Sequence, residues 1–446
     1  QLMNYVFLGD SPTLETGFAR VTKNIIPNLS VPNKHVWGIG YSGLSHNYDF
    51  NIYPANINSS WQDDHNKERF QEFLLSLEGP ITLWCIHDAF RLANFKTVFD
   101  RVKQEKQLTI VAYIPVDSYL DEKDGEFIDI VDIPVAYTEF GAANIRKFTD
   151  KEVKVIPHGN DPDFIKINNF DRSNYFPDLH KDIKLIGVVN SNSKRKNLFR
   201  SLEIFRELIQ KDNFWRLYLH CDPDGYFDLK KIAGEMGIQP FIIYGDPYFK
   251  SHIIGDTSCN KEELVNIYNC FDLLLSTSHG EGWGLTATEA ASCGVPLALH
   301  KTTAHEEIFS DDSCIFLPSR NMAYYDHKIV GDLDPIESAE IIQREFKNRD
   351  LNLQTKKAKE LVDSFNWNKI NQAWENILSE GLRSNLNFLD FVEGAVKEPA
   401  TENQGCIEIK YTNSFGQSAS FKKDIDSNTS QLFDEKIMEE LEKSVN

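Results

Sequence analysis

The chain contains no uninterrupted apolar run approaching the roughly 20 residues needed to span a bilayer, so no transmembrane helix is expected. Its opening stretch, Gln1-Leu2-Met3-Asn4-Tyr5-Val6, lacks the basic n-region and long apolar h-region of a secretory leader, and Met3 is expected to be the native initiator. Cysteine is scarce. The seven cysteines, at positions 85, 221, 259, 270, 293, 314 and 406, are odd in number and show no Cys-x-x-Cys spacing. That argues against a disulfide framework and a structural zinc site, and it points to a reducing, cytoplasmic setting. Positive charge is in deficit as well: 47 Lys and Arg face 67 Asp and Glu, a formal net charge of −20. Such a chain is poorly suited to broad attachment to nucleic acid or anionic lipid, both polyanions, although a local basic patch is compatible with it. There is no internal repeat and no strong low-complexity tract.

What is present is an ordinary globular mixture, 41% hydrophobic and 26% charged, in 446 residues. That length exceeds what one hydrophobic core usually supports, so two domains are expected. Short apolar runs alternate with helix-like segments, the pattern of doubly wound α/β sheets. In the first half, residues 5–9, 81–86, 109–114, 134–138 and 153–157 read as parallel strands. A polar stretch containing Pro162 and Pro177 reads as a linker. A second series follows at 183–189, 216–220, 241–244, 273–276, 296–299 and 315–317. The expected division is a first α/β domain over 1–165, a linker over 166–181, a second α/β domain over 182–365, a helical segment over 366–392 and a tail over 393–446. In the tail, residues 406–411 alternate like a small strand that Asn413 to Gly416 would turn back through 418–421, and 432–445 reads as a short amphipathic helix. Two doubly wound units predict a cleft between the carboxyl ends of two sheets, where ligands bind in such folds.

The most informative stretch runs from Ser276 to Pro296. A buried strand ends at Ser276, a glycine-rich loop follows, and a helix starts near Leu285 or Thr286, with Gly294 fitting its C-cap. Glycines 280, 282 and 284 let backbone approach a ligand closely, and the amides opening the helix suit a diphosphate. Glu289 lies about one turn inside and leans back toward the helix start, so that it and Glu281 both face the cleft. A glycine-rich loop alone also fits a tight connection with ordinary surface acids. Two acids bracketing Gly282-Trp283-Gly284-Leu285, with an alanine-rich helix and Gly294-Val295-Pro296 behind them, favour a ligand site.

This arrangement, a Glu, seven residues and a second Glu, resembles the signature of retaining glycosyltransferases of the two-Rossmann-domain (GT-B) fold, especially family 4 of the glycogen-synthase-like superfamily. The resemblance spans about residues 5–380 and is strongest in the second half. It implies that Glu281 contacts the transferred sugar, that backbone around Gly282, Trp283, Gly284, Leu285 and Thr286 meets sugar and phosphate, and that Glu289 binds ribose hydroxyls. In similar enzymes an Arg and a Lys five positions apart neutralise the diphosphate. Lys196 fits the Lys, while Ser191 stands at the Arg position and leaves Arg195 or Lys194 as its substitute. Gly17 is what remains of a glycine pair near the donor phosphate. His87 or Asp117, at two strand ends, takes the place of a His that hydrogen-bonds the donor sugar, and Pro157-His158-Gly159-Asn160-Asp161 is similar to a turn that closes the first domain.

The implied activity is transfer of a hexose, with retention, from a nucleoside diphosphate sugar to a hydroxyl on a carbohydrate, protein or other glycoconjugate acceptor. UDP-glucose is the first expectation for the donor and GDP-mannose the next. No tightly bound cofactor and no metal are implied. Asp161-Pro162-Asp163 and Asp222-Pro223-Asp224 look like metal-site pairs but sit in proline turns and read as loop acids. The alternatives are transfer to hydroxymethylated DNA bases, which the charge of −20 disfavours, an epimerase or phosphorylase of the same fold, and a non-catalytic sugar-nucleotide-binding protein. Ser191, Asp117 and the tail suggest an outlying lineage, viral or bacterial, and a viral chain would work in the host cytoplasm.

Overall fold

Strands buried on both faces must be apolar nearly throughout, and the central strands of the first sheet are. That sheet comprises β1 (Asn4–Asp10), β2 (Lys34–Ile39), β3 (Asn51–Pro54), β4 (Ile81–Ile86), β5 (Leu108–Ile114), β6 (Ile133–Ala136) and β7 (Lys154–Val155). All pair in parallel, in the spatial order β3-β2-β1-β4-β5-β6-β7. Every residue of β1, β4 and β5 is buried. The structure is a computed structural model that describes residues 3–57, 60–245, 259–385, 396–397, 401–403, 406–412 and 418–424. Strands β2 and β3 do not stand out in the sequence, because part-exposed positions break their apolar runs; of the two, only β3 is an edge strand.

The strands of the first sheet are linked through α1 (Gly17–Ile25), α2 (Asp64–Ser76), α3 (Ala89–Leu92), α4 (Lys96–Glu105), α5 (Glu122–Ile130) and α6 (Glu139–Ile145). The second sheet repeats the design with β8 (Lys184–Val189), β9 (Trp215–His220), β10 (Ile242–Tyr244), β11 (Leu273–Ser276), β12 (Leu297–His300) and β13 (Ile315–Leu317). Its order is β10-β9-β8-β11-β12-β13, again all parallel. The intervening helices are α7 (Leu198–Lys211), α8 (Leu229–Glu235), α9 (Lys261–Asn269), α10 (Leu285–Ser292) and α11 (Thr303–Ile308). An antiparallel hairpin of β14 (Ser319–Tyr325) and β15 (Lys328–Leu333) precedes α12 (Pro335–Asn348), α13 (Leu351–Asp363) and α14 (Trp367–Asn385). Both sheets reverse their winding at the middle, between β1 and β4 and between β8 and β11, and ligands bind at such switch points.

Each sheet carries its own core. Phe70, Phe95, Phe99 and Phe127 pack with Leu83 and Ile110 in the first, and Phe205, Trp215, Leu217 and Leu273 in the second. Fully burying one such side chain contributes about 1.5–3 kcal/mol relative to leaving it exposed. Helix α14 returns to the first sheet, where Trp374 meets Trp84 edge-on at 5.5 Å and Tyr113 at 4.8 Å. The stretch read as a linker is tied down: the Ile167 amide donates to Asn269 at 2.8 Å, and Arg172 bonds Asp272 at 2.7 Å and the Lys181 carbonyl at 3.0 Å.

Residues 1–376 form one compact unit and residues 377–446 a second. Within the latter, β18 (Cys406–Thr412) pairs antiparallel with β16 (Val396–Lys397), β17 (Thr401–Asn403) and β19 (Ser418–Asp424). The expected small strand and its return therefore appear as β18 and β19. The expected turn at 413–416 and the helix at 432–445 lie outside the described residues. Among the described residues no helix is long and apolar enough to cross a membrane.

Candidate active site

The carboxyl ends of the two sheets enclose a cavity of about 370 Å³. From the second sheet, β11 runs into the glycine-rich loop and then α10. Gly284 stands at φ +91° as the residue before that helix, a left-handed conformation that favours glycine, and a side chain there would meet the His305 ring at 2.9 Å. No side chain caps α10, so its first amides, at Leu285 and Thr286 on the cavity wall, are available to an anion. Gly294 follows the helix at φ +71°.

Glu281 is only 5% exposed and is gripped from three sides. Lys196 Nζ and Ser278 Oγ each lie 2.6 Å from Oε1, and Arg195 Nη1 lies 3.0 Å from Oε2. Burial alone would raise its pKa, but Lys196, Arg195 and His305 outweigh burial and hold it well below the ordinary carboxylate range. Burial pushes the Lys196 ammonium down from its usual value, against the pull of Glu281. Arg195 joins the two halves: its Nε bonds Asp117 at 2.9 Å, while Nη1 also donates to the Gly280 carbonyl at 2.6 Å. Arg195, Lys196 and Ser191 line the cavity; Lys194 does not.

The other predicted residues divide by location. Gly17, Asp117, Gly282, Trp283, Gly284, Leu285 and Thr286 line the cavity with Glu281. Trp283 is 5% exposed and packs on Phe365 and His158, so it anchors the loop. Glu289 faces a smaller recess beside α1, where Arg20 pairs with one carboxylate oxygen and the Tyr268 hydroxyl donates to the other at 2.8 Å. His87 sits between the rings of Phe18 and Trp61, each 5.0 Å away, and its Nδ1 accepts the Asp88 amide at 2.8 Å. It is Asp88 that lines the cavity, its pKa raised to about 6 by burial and by Asp117.

Sequence reading did not single out Arg20, Asp88, Tyr137, Asn190 or Tyr268. Arg20 is positioned by α1, which Thr16 caps by accepting the Ala19 amide at 3.1 Å while donating to Asp10. Its partner lies 269 residues away, beyond any local pattern. Glu307 joins the halves too, accepting the Glu139 and Phe140 amides at the start of α6 at 2.8 and 3.0 Å. The carboxylates of Asp161 and Asp163 are both taken by Lys261.

Buried histidines around the two sheet ends give the fold an acid-sensitive character. Burial lowers His87 and His158 to about 3, and His220 and His300 to about 4. Unfolded, each would titrate near 6.5. Their contribution to stability is therefore complete above about pH 6.5 and is lost as pH falls toward the folded values, by about 1.4 kcal/mol per pH unit for each histidine. Urea unfolding is expected to give a markedly smaller folding free energy at pH 5.5 than at pH 7. Equal values at the two pH settings would contradict the neutral, buried state of these rings.

Residues 171–329 match the family model described as glycosyl transferases group 1. The architecture is GT-B. A 69-residue stretch is 33% identical to the D-inositol 3-phosphate glycosyltransferase of Mycolicibacterium smegmatis, covering 16% of this chain and 13% of that protein. This chain thus aligns with only a small part of the curated relatives' length. Solved structures match over most of the chain. The Anabaena protein HepE, in complex with UDP and glucose, superposes with a TM-score of 0.64 at 13% identity, covering 85% of this chain and 100% of that one. Sucrose-phosphate synthase from Thermosynechococcus elongatus gives 0.65 at 14% identity, covering 86% of this chain and 100% of that one. At such identities the likeness establishes the fold.

Proposed function

We propose that this chain is a retaining glycosyltransferase that moves a hexose from a nucleoside diphosphate sugar, UDP-glucose first, to an acceptor hydroxyl. The observation that carries this reading is the buried Glu281 carboxylate, held by Lys196 and Arg195 beside the uncapped start of α10 in the cleft between two sheets. The HepE structure with UDP-glucose supports the choice of donor. In this reading residues 1–165 face the acceptor and 182–365 hold the donor. Glu281 orients the transferred sugar, and Gly17, Asp88 and Asp117 approach it from the first half, while His87, packed between Phe18 and Trp61, stays behind the cavity wall. Glu289 takes the ribose once Arg20 yields it. The acceptor oxygen bonds to the anomeric carbon as its bond to the diphosphate breaks, and the acceptor proton passes to a diphosphate oxygen. Lys196, Arg195 and the amides of Leu285 and Thr286 stabilise the charge that develops on the leaving group, so positioning and electrostatics supply most of the rate.

A thermal-shift series with UDP-, GDP- and ADP-sugars tests this, followed by assay of donor hydrolysis and transfer. A donor at 100 times its Kd should stabilise the fold by about 2.7 kcal/mol. Stabilisation by UDP-glucose with release of UDP is the expected result. No shift with any of the three donors, and no turnover, would overturn the reading.

A further inference from the structure

Asn190 and Tyr137 each stand at the carboxyl end of a strand, one in each sheet. Asn190 directly follows β8, Tyr137 directly follows β6, and both line the 370 Å³ cavity. Asn190 is 8% exposed and Tyr137 is 4% exposed. Neither the amide nitrogen nor the amide oxygen of Asn190 has a hydrogen-bond partner, nor does the Tyr137 hydroxyl, among the described residues. Their surroundings are otherwise well satisfied. The Tyr137 ring packs 4.1 Å from His158 and 4.3 Å from Tyr113, and Tyr113 in turn bonds His158 Nδ1 at 2.8 Å. Lys196, six residues beyond Asn190, is paired with Glu281.

Buried polar groups are nearly always paired, because an orphan forfeits its hydrogen bonds to water and gains nothing in exchange. Two such orphans on residues lining one cavity mark places that a ligand completes. The chemistry of that ligand follows from what is left open. A phosphate oxygen only accepts, so it would satisfy the Asn190 nitrogen and leave the oxygen stranded. An amide with both ends free is matched by hydroxyl groups, which donate and accept. A phenol hydroxyl has the same dual character. The phosphate-binding task falls instead to the cations and helix amides already described.

We propose that Asn190 and Tyr137 are recognition residues for sugar hydroxyls of the bound nucleotide sugar, one from each sheet. This rests on the nucleotide-sugar reading above. Residues that exist to meet a ligand carry an unusual signature: removing them costs the free protein nothing. Asn190→Leu and Tyr137→Phe each delete only the unpaired groups, so the ligand-free melting temperature should stay level or rise. Affinity for UDP-glucose, measured by calorimetry, should fall about tenfold or more in each variant, since a hydrogen bond lost in a dry site is worth about that much. Titration with UDP alone separates the two sources of hydroxyl. A loss confined to UDP-glucose assigns the contact to the hexose, and an equal loss for UDP assigns it to the ribose; either supports the proposal. Variants that melt lower while binding both ligands within twofold of the parent would overturn it and make these groups structural, satisfied by internal water. If the parent protein itself binds neither ligand, the nucleotide-sugar reading fails and this proposal fails with it. Parent binding with unaffected variants refutes this proposal alone.

Discussion

Glu281→Gln is expected to reduce transfer by at least about 10²–10³-fold and to weaken the fold at the same time. Both effects come from one arrangement. The carboxylate sits 5% exposed in the middle of the loop between β11 and α10, and it is the counter-ion of Lys196 and, with Asp117, of Arg195. Removing its charge leaves an ammonium whose pKa burial has already lowered, with no anion at 2.6 Å to offset its desolvation. Breaking a buried pair on one side typically costs about 3–5 kcal/mol, more than most single substitutions. Loss of stability alone would mimic loss of catalysis, so a second variant separates them. Glu281→Leu combined with Lys196→Met removes both charges, and buried pairs replaced by apolar groups are often no less stable. The double variant should recover much of the lost stability yet remain without transfer activity. Full transfer in Glu281→Gln would sink the donor-site assignment; a double variant as unstable as the single one would show that the pair is not what the single change disrupts.

The alternation that made the two sheets legible is a burial signal, and it fails where burial is one-sided. Strands β1, β4, β5, β8, β11 and β13 are continuous apolar runs and were readable directly. The hairpin of β14 and β15 was not. Ser319, Arg320, Asn321, Met322 and Tyr324 are exposed, so β14 carries no core-facing period. Its turn residues Asp326 and His327 adopt φ +47° and +63°, a geometry that Asn-Gly or Asp-Gly usually announces. The glycine-rich loop was legible because its residues are contiguous. The contacts that complete the site, Arg20 with Glu289 and Arg195 with Asp117, join residues far apart in the chain. No local pattern encodes them. The same holds for Asp88, which lines the cavity one residue past His87, because two adjacent residues leave a strand end on different sides.

Gly280→Ala is expected to lower turnover about 10²-fold while leaving both hydrophobic cores intact. A β-carbon at position 280 would lie 1.8 Å from the Asp117 carbonyl oxygen and 3.3 Å from the Thr303 methyl group. The first obstacle is main chain of the opposite half, so no side-chain rotation relieves it. Either the Asp117 loop or the Gly280 loop must retreat by an ångström or more. Arg195 then loses its simultaneous grip on Asp117, the Gly280 carbonyl and Glu281, because those three acceptors at 2.9, 2.6 and 3.0 Å are fixed by the contact itself. The cores of the two sheets are separate clusters that do not include Gly280, so the melting temperature should change little. Turnover close to that of the parent would mean that the halves stand apart in the working state. A variant that melts much lower would mean instead that the Gly280–Asp117 contact holds the fold together rather than setting the geometry of the cleft.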